Sequence, residues 1–224
     1  MGPSRRIGLT GGIATGKSSV ARCLTEQHGV PVLDADRFAR EALAPGTEAT
    51  RAVLRRYGPT LQATGASVSV DRAALARIVF GDAAERQWLE QLVHPLVRAR
   101  LSGALASLGA AAVVVLMIPL LFEAGLDSLC NEIWVVDCGS EAEQIRRLMA
   151  RDGIRLDEAR ARLKAQWPMA AKLSRADVIL NNSGSAELLA QQVAAALARP
   201  KANALNDDAP PTAGPAVLVA PPTV

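Results

Sequence analysis

Short apolar runs alternate along the chain with longer stretches that have helical spacing. Each run is nearly continuous in apolar residues, which is typical of parallel strands that helices cover on both faces. The stretches between them repeat apolar residues at i, i+3 and i+4, the spacing of an amphipathic helix. This alternation predicts an α/β fold with a doubly wound, parallel sheet of five strands. The predicted strands are residues 7–10, 30–34, 113–118, 133–137 and 178–180, and the helices between them include 17–28, 140–151 and 185–198. Ser140, followed by Glu143 three residues later, has the form of a capping box at the start of its helix.

The interval between the second and third strands, residues 35–110, is too long for one crossover helix. Its apolar spacing predicts an all-helical insertion, in which Asp71 and Asp82 are helix N-caps. A second helical stretch at 154–174 is rich in arginine and lies where a small mobile lid would be expected. The helices predicted within the insertion are 36–44, 47–57, 72–79, 83–93 and 95–108.

The chain therefore divides into a core, an insertion and a tail. The core is residues 1–35 and 111–200, with the lid at about 152–174, and the insertion is residues 36–110. Residues 201–224 are rich in Ala, Pro, Thr and Asn and hold few large apolar side chains. Such a composition cannot bury enough apolar surface to offset the entropy of ordering, so we expect a disordered tail.

Composition and charge narrow the classes of function. Half of the residues are hydrophobic, and the formal net charge is +3. This mild charge suits a site for a phosphorylated small molecule, whereas nucleic-acid binding is disfavoured because no dense Lys/Arg run accompanies it. The longest apolar run, residues 110–122, is too short for a membrane span, and the N-terminus lacks the pattern of a signal peptide. Cys23, Cys130 and Cys138 have no Cys-x-x-Cys spacing, so we expect no disulfide framework or zinc site and a cytoplasmic location.

Residues 11–18, Gly-Gly-Ile-Ala-Thr-Gly-Lys-Ser, match the phosphate-binding pattern Gly-x-x-x-x-Gly-Lys-Ser/Thr. They lie between a predicted strand and a predicted helix, where glycines let backbone N–H groups point at one phosphate. A glycine-rich turn with a surface lysine would not need this setting. We therefore expect a P-loop NTPase core that binds ATP, with Lys17 at the β- and γ-phosphates and the Ser18 hydroxyl on Mg²⁺. The predicted nucleotide contacts of this loop are Gly11, Gly12, Ile13, Ala14, Thr15, Gly16, Lys17, Ser18 and Ser19.

Two carboxylates, Asp34 and Asp36, follow the second predicted strand. At the C-terminal edge of a parallel sheet they would emerge beside the phosphate loop. Kinase chemistry needs a carboxylate that accepts the proton of the attacking hydroxyl, and Asp34 is well placed for that role. The alternative is that one or both cap the helix that begins near Arg37, and the spacing favours Asp36 as the cap.

Five segments form a much more selective combination than the phosphate loop alone. With them, and with Arg151, Asp152 and Gln166 in the predicted lid, the chain resembles the dephospho-coenzyme A kinase family over residues 5–199. The segments are residues 7–18; Asp34-Ala35-Asp36 with Ala39 and Arg40; His94-Pro95-Leu96; Pro-Leu-Leu-Phe-Glu at 119–123; and residues 176–179 leading into Asn181-Asn182-Ser183-Gly184.

The resemblance implies ATP-dependent phosphorylation of the ribose 3′-hydroxyl of dephospho-CoA, giving CoA and ADP, which is the last step of coenzyme A biosynthesis. It implies that Asp34 is the general base and that Arg151 is a lid arginine that acts in catalysis with Lys17. Asn182 and Gly184 would border the adenine of ATP. The implied acceptor-binding residues are Asp34, Asp36, Arg40, His94, Pro119, Leu120, Leu121 and Glu123.

Several implied roles have structural alternatives. His94 precedes Pro95 and can be a histidine at a helix boundary, and residues 119–121 can be a turn that ends a strand. Glu123 is either a surface carboxylate or a residue that orients the site through a Mg²⁺-bound water. Arg151 lies near the end of a predicted helix, where a cation is favourable in any case.

Met117 departs from a common pattern, because many P-loop proteins and some members of the family carry an acidic residue at this strand end. Metal binding would therefore depend on Ser18 and the ATP phosphates, with Asp34 acting through water as a further candidate.

Two other functions fit the same core. Another P-loop small-molecule kinase, for a nucleoside monophosphate or a sugar acid, would differ in its acceptor. A nucleotide-dependent regulatory ATPase would need a segment that orders around the γ-phosphate and a residue that positions water. The chain has no Asn-Lys-x-Asp pattern of GTPase base recognition, which disfavours such a switch.

Overall fold

The computed structural model describes residues 5–62, 69–109 and 111–199, together with Pro3 and the backbone of Ala216–Leu218. The chain forms two compact units. The first is Met1–Leu33 with Leu108–Val224, and the second is Asp34–Ser107.

The first unit is built on a parallel sheet with the strand order β2-β3-β1-β4-β5-β6. β1 lies at the centre, so that Leu9 is opposite Met117 on one side and Trp134 on the other. The five parallel strands predicted from the sequence are confirmed. Their bounds are β1 Arg5–Gly11, β2 Val32–Asp34, β3 Val113–Met117, β4 Glu132–Asp137 and β5 Val178–Asn181, and β6 is Ala216–Leu218.

Helices follow most of the strands, and several begin at the residues expected to cap them. Asp71, Asp82 and Ser140 each accept a backbone N–H of the following helical turn. The helices are α1 Lys17–His28, α2 Ala35–Ala42, α3 Glu48–Tyr57, α4 Arg72–Gly81, α5 Ala83–Ser107, α6 Glu141–Asp152, α7 Leu156–Lys164, α8 Met169–Leu173 and α9 Ala186–Ala198.

The structure contradicts one expectation about helices and refines another, and both concern proline. The predicted break between residues 83–93 and 95–108 is absent, because α5 continues through Pro95. Val93 and Val97 on either side of the proline are both buried, so packing holds the helix where one hydrogen bond is lost. The predicted helical stretch at 154–174 is instead two helices, because the residue before Pro168 is disfavoured in a helix.

The core of the first unit consists mostly of aliphatic side chains from the central strands and from α1 and α9. Trp134 of β4 is the largest of them and is fully buried. The members of this cluster include Ile7, Leu9, Val20, Leu24, Val115, Val136, Leu180, Leu189 and Val193. The second unit has its own core, around Val53, Leu61, Val70 and Leu75.

The tail predicted to be disordered, residues 201–224, lies outside the described residues except for β6. There the backbone of Ala216–Leu218 pairs in parallel with Val178–Leu180 of β5. This differs from the expectation, and the physical reason is that an edge strand presents unpaired N–H and C=O groups to any segment that can align with it.

Within the ranges that the structure describes, no helix is both long enough and apolar enough to cross a membrane.

A buried ion pair joins the N-terminal ends of β1 and β4. The guanidinium of Arg5 binds both carboxylate oxygens of Glu132, at 2.6 and 2.9 Å, and also donates to the carbonyls of Ala196 and Leu197 at the end of α9. Burial alone would raise the pKa of Glu132, but hydrogen bonds from Arg5 and Trp134 outweigh it, and the pKa is lowered. The pair therefore holds two strands and a helix together.

We predict that Arg5→Met lowers the free energy of unfolding by about 3–5 kcal/mol, because it leaves the Glu132 carboxylate buried and unpaired. Urea unfolding at neutral pH measures this loss. The double variant Arg5→Met, Glu132→Gln should lose less, since no buried charge remains and Trp134 keeps its acceptor. A double variant as unstable as the single one would contradict the explanation.

The lowered pKa of Glu132 also predicts how stability depends on pH. Its stabilising contribution is present above the pKa of an unfolded glutamate, about 4.3, and is lost as the pH falls through the lower folded value. The stability gap between wild type and Glu132→Gln should therefore be constant near neutral pH and shrink in acid. Unfolding curves at several pH values test this, and a gap that widened in acid would refute it.

Candidate active site

The glycine-rich loop lies between β1 and α1, and its two motif glycines are required by geometry. Gly16 has φ +101° and is the N-cap of α1, and a Cβ there would collide with the side-chain amide of Asn182. Gly11 has φ +145°, and a Cβ there would collide with the carbonyl oxygen of Val136 in β4. Larger residues would therefore be strained at both positions.

The loop holds its own lysine in place. The Lys17 ammonium donates to the carbonyls of Gly11 and Gly12, at 3.0 and 2.7 Å, and the Thr15 hydroxyl also donates to Gly12. These contacts orient the positive charge at the loop before any ligand binds. Such preorganised charge costs no reorganisation when a phosphate arrives.

Three backbone N–H groups of the loop are available to an anion. Among the described residues, no acceptor takes the N–H of Ala14, Gly16 or Ser18. Ala14 has φ +61°, a conformation that residues other than glycine rarely adopt. The N-terminus of α1 adds its positive dipole end at the same place. The loop therefore has the donors and the charge that a phosphate-binding nest requires.

Three side-chain amides from outside the motif hold this shape. Gln144 of α6 donates to the Ile13 carbonyl at 2.7 Å, and the Gln166 oxygen accepts from the Ile13 N–H at 2.9 Å. Asn182 donates to the Thr15 carbonyl at 2.8 Å. Asn182 was expected to border adenine, and in the structure its side-chain amide nitrogen binds the backbone of the loop. The three amides together stabilise an uncommon backbone conformation.

Sequence reasoning gave no role to Gln144. The available signal was a polar residue at a core position of the α6 pattern, since Gln144 is buried on the same face as Leu148. A buried amide must find hydrogen-bond partners, which marks such a position as a structural or functional contact.

The end of β5 is joined to α6 by a second set of contacts. Arg147 donates to the Asn182 carbonyl at 2.9 Å and pairs with Glu143 at 2.6 Å. Gly184, predicted near adenine, is exposed in the turn before α9. Arg147 was not predicted as a site residue, although it lies beside the segment that was.

Arg151 is exposed near the C-terminus of α6 and is engaged by its neighbour Asp152, at 2.7 and 3.1 Å. Arg162 of α7 binds the same carboxylate at 2.6 Å. The hydrogen bond from Arg151 is the main cause of the lowered pKa of Asp152, which keeps the cluster charged. Arg151 therefore lies at the corner where α6 passes into the predicted lid.

A buried lysine holds residues 119–123, the segment that follows β3, in place. Glu123 binds the Lys172 ammonium at 2.8 Å, and Lys172 also donates to the Pro119 carbonyl. Lys172 is fully buried, and Glu123 is mostly buried, so Glu123 is not a surface carboxylate. Sequence reasoning missed Lys172, because nothing local distinguishes it from a surface lysine of a short helix.

Leu121 differs from its expected role. Its side chain is completely buried and packs against Gly8 of β1, so it contributes to the core rather than to a substrate-facing surface. Pro119 and Leu120 are half-buried.

A cleft of about 940 Å³ opens beside the loop. Its lining includes Gly12 and Gln144, and the predicted lid contributes Arg160, Lys164 and Trp167. Two cations and an aromatic ring beside a phosphate-binding loop suit a phosphorylated ligand with an apolar or aromatic part.

The second unit contains the other predicted residues. Asp34 caps α2, because its Oδ1 accepts from the N–H groups of Asp36 and Arg37 at 2.9 and 3.3 Å. The expectation that Asp36 is the cap was therefore wrong, and Asp36 lies exposed in the first turn. The other Asp34 oxygen is 3.9 Å from the Arg40 guanidinium. His94 is half-buried within the uninterrupted α5.

The described residues form neither a cluster suited to hold a metal nor an activated thiol at Cys130 or Cys138. In the described ranges, no group of three or more His, Cys, Asp or Glu residues is arranged to hold a metal. Met117 ends β3, as the sequence indicated. Burial raises the pKa of the Cys138 thiol, and that of Cys130 to about 12, so neither thiol is activated as a nucleophile.

Comparison with known proteins supports one family. The family model described as dephospho-CoA kinase matches residues 5–187. A protein of Prochlorococcus marinus (strain MIT 9313) named dephospho-CoA kinase is 55% identical over 194 residues, which cover 86% of this chain and 95% of that protein.

Solved structures agree. TT1252 from Thermus thermophilus has a TM-score of 0.73 and 39% identity, and the match covers 88% of this chain and 97% of that one. Dephospho-CoA kinase from Campylobacter jejuni has a TM-score of 0.62 and 26% identity, with coverage of 86% and 94%. The matches extend across the glycine-rich loop, the helical insertion and the predicted lid, and nearly the whole of each relative is covered. The chain belongs to the dephospho-CoA kinase family.

Proposed function

We propose that this chain transfers the γ-phosphoryl group of ATP to the ribose 3′-hydroxyl of dephospho-CoA and releases CoA and ADP, the last step of coenzyme A biosynthesis. The observation that carries the proposal is the phosphate loop, whose N–H groups at Ala14, Gly16 and Ser18 and whose fixed Lys17 suit a triphosphate. Membership of the family supports dephospho-CoA as the acceptor. A kinase for a nucleoside monophosphate or a sugar acid is the alternative.

Phosphoryl transfer depends on positioning and on neutralising charge. We assign Lys17 to the β- and γ-phosphates, because its ammonium is already oriented by two loop carbonyls. Arg151 is the proposed lid arginine, since it lies at the corner between α6 and the lid. Movement of the lid would bring its charge to the transferring phosphoryl group.

We assign the general base to Asp34. The carboxylate accepts the proton of the 3′-hydroxyl as that oxygen forms a bond to the γ-phosphorus, and the bond to ADP breaks. Its Oδ1 is held by the two N–H groups at the start of α2, which fixes the orientation of the carboxylate. Proposed acceptor contacts are Asp36, Arg40, His94, Pro119, Leu120 and Glu123.

Mg²⁺ fits the residues present, with few protein ligands. The Ser18 hydroxyl, in the first turn of α1, is the proposed ligand, and the ATP phosphates supply the others. When bound, the ion neutralises charge on the β- and γ-phosphates. The three unpaired cysteines Cys23, Cys130 and Cys138 are consistent with the proposed cytoplasmic location.

A panel of acceptors tests the function directly. The protein is incubated with ATP, Mg²⁺ and either dephospho-CoA, a nucleoside monophosphate or a sugar acid, and ADP release is measured for each. We expect release only with dephospho-CoA, with a product whose mass and phosphorus NMR spectrum are those of CoA. Release with another acceptor alone would overturn the assignment.

We predict that Lys17→Ala lowers kcat/KM by about a hundredfold or more, because it removes a preorganised charge at the β- and γ-phosphates. Steady-state kinetics measure the loss. Arg22→Ala, an exposed change on the same helix, is the matched control and should be neutral. A folded Lys17 variant with normal turnover would show that the loop is not the working phosphate site.

Asp34→Asn should lower kcat by about a hundredfold or more while thermal stability stays near that of wild type. Asparagine caps helices as well as aspartate does, so the change removes the base without removing the cap. Asp36→Asn leaves the cap untouched and should keep kcat, with a raised KM for dephospho-CoA if Asp36 contacts the acceptor. If Asp36→Asn abolishes turnover and Asp34→Asn does not, the base is misassigned.

A further inference from the structure

Residues 166–172 run from the end of α7 into α8, and we refer to them as the strap. One side of the strap contacts the phosphate loop. The Gln166 oxygen accepts from the Ile13 N–H at 2.9 Å, and the Met169 sulfur accepts from the Gly12 N–H at 3.2 Å. Two consecutive N–H groups of the loop are therefore engaged by the strap, and they differ from the groups that are available to an anion.

The other side of the strap contacts residues 119–123. The Trp167 N–H donates to Glu123 Oε1 at 2.9 Å, and the Lys172 ammonium binds the same oxygen at 2.8 Å. Lys172 also donates to the Pro119 carbonyl at 3.2 Å. A fully buried lysine has no water to replace a lost partner, so these contacts hold it in one position.

Ring contacts add a second link at this end. The Trp167 ring stacks on Phe122, with centroids 5.7 Å apart and planes 15° apart. The Arg175 guanidinium lies 5.5 Å from the Phe122 centroid and 5.3 Å from that of Trp167. The strap is therefore fastened to residues 119–123 by an ion pair, hydrogen bonds and stacked rings.

We propose that the strap couples the phosphate loop to residues 119–123, with Gln166 and Lys172 as positioning residues at its two ends. A change at either end then alters the site at the other, although neither side chain belongs to the phosphate-loop motif. This proposal rests on the proposed function, in which the loop binds the phosphates of ATP and residues 119–123 contact the acceptor. The strap would keep the donor and acceptor sites in one relative arrangement.

The proposal is tested by binding of ADP, measured by calorimetry. Lys172→Met together with Glu123→Gln removes both buried charges, so no unpaired charge remains to unfold the protein. These side chains contact residues 119–123 and the strap rather than the loop, yet coupling predicts an ADP dissociation constant about two- to thirtyfold higher than that of wild type. Unchanged ADP affinity would overturn the proposal.

A matched control separates coupling from general destabilisation. Arg5→Met with Glu132→Gln removes a second buried ion pair, at the opposite ends of the strands, and should leave ADP affinity unchanged. Equal weakening in this control would also overturn the proposal.

A third variant identifies the path. The Pro119 carbonyl also accepts from the Thr10 hydroxyl, which precedes the loop, so an effect could reach the loop without the strap. In a background that carries both Gln166→Ala and Met169→Ala, the Lys172 and Glu123 changes should add little further loss, because both contacts between that end of the strap and the loop are then removed. Additive losses would assign the effect to Thr10 and refute the strap.

The reverse direction is measured on the acceptor. Gln166→Ala should raise the KM for dephospho-CoA by a similar factor, although the described hydrogen bond of the Gln166 side chain is with the loop. An unchanged KM would contradict the coupling.

The ADP measurements also separate failure of the strap from failure of the proposed function, because ADP binding requires no phosphoryl transfer. A wild-type protein that binds ADP but forms no CoA would refute the proposed function, whereas the ADP affinities of the variants would still decide whether the strap couples the two segments.

Discussion

A backbone that directs its N–H groups at an anion cannot use those groups to hold its own shape, and the first unit is organised around this constraint. Gly16 and Ala14 adopt positive φ angles, and the N–H groups of Ala14 and Gly16 have no acceptor in the described part of the chain. The missing internal support comes from the side-chain amides of Gln144, Gln166 and Asn182. The proposed phosphate site therefore depends on elements that lie beyond the motif.

Two buried ion pairs hold opposite ends of the same sheet. Arg5 and Glu132 join the N-terminal ends of β1 and β4, whereas Lys172 and Glu123 lie beyond the C-terminal end of β3. A buried charge is tolerated only with a close partner and further hydrogen bonds, so each pair specifies one arrangement of the segments it joins. The first pair stabilises the fold of this unit, whereas the second adjoins the segment proposed to contact the acceptor.

Two prolines show how local preference and packing compete. Pro168 interrupts the helical run of the predicted lid, in agreement with the preference of the residue before proline. Pro95 has the same local preference, yet α5 continues through it because buried residues on both sides, Val93 and Val97, keep the helix packed on its neighbours. Burial of apolar side chains outweighs one lost hydrogen bond at Pro95, and no comparable burial opposes the break at Trp167.

Local sequence patterns were enough to predict the strands, the glycine-rich loop and the helix caps at Asp71, Asp82 and Ser140, because each of these features depends on neighbours within a few residues. The choice of Asp34 over Asp36 as the cap of α2 was ambiguous at that range and needed the backbone angles. The partners of Gln144 and Asn182 lie 131 and 167 residues away along the chain, and those of Lys172 lie on another strand connection. Hydrogen bonds between such distant segments leave no periodic signal, so they became visible only when the sheet had brought the segments together.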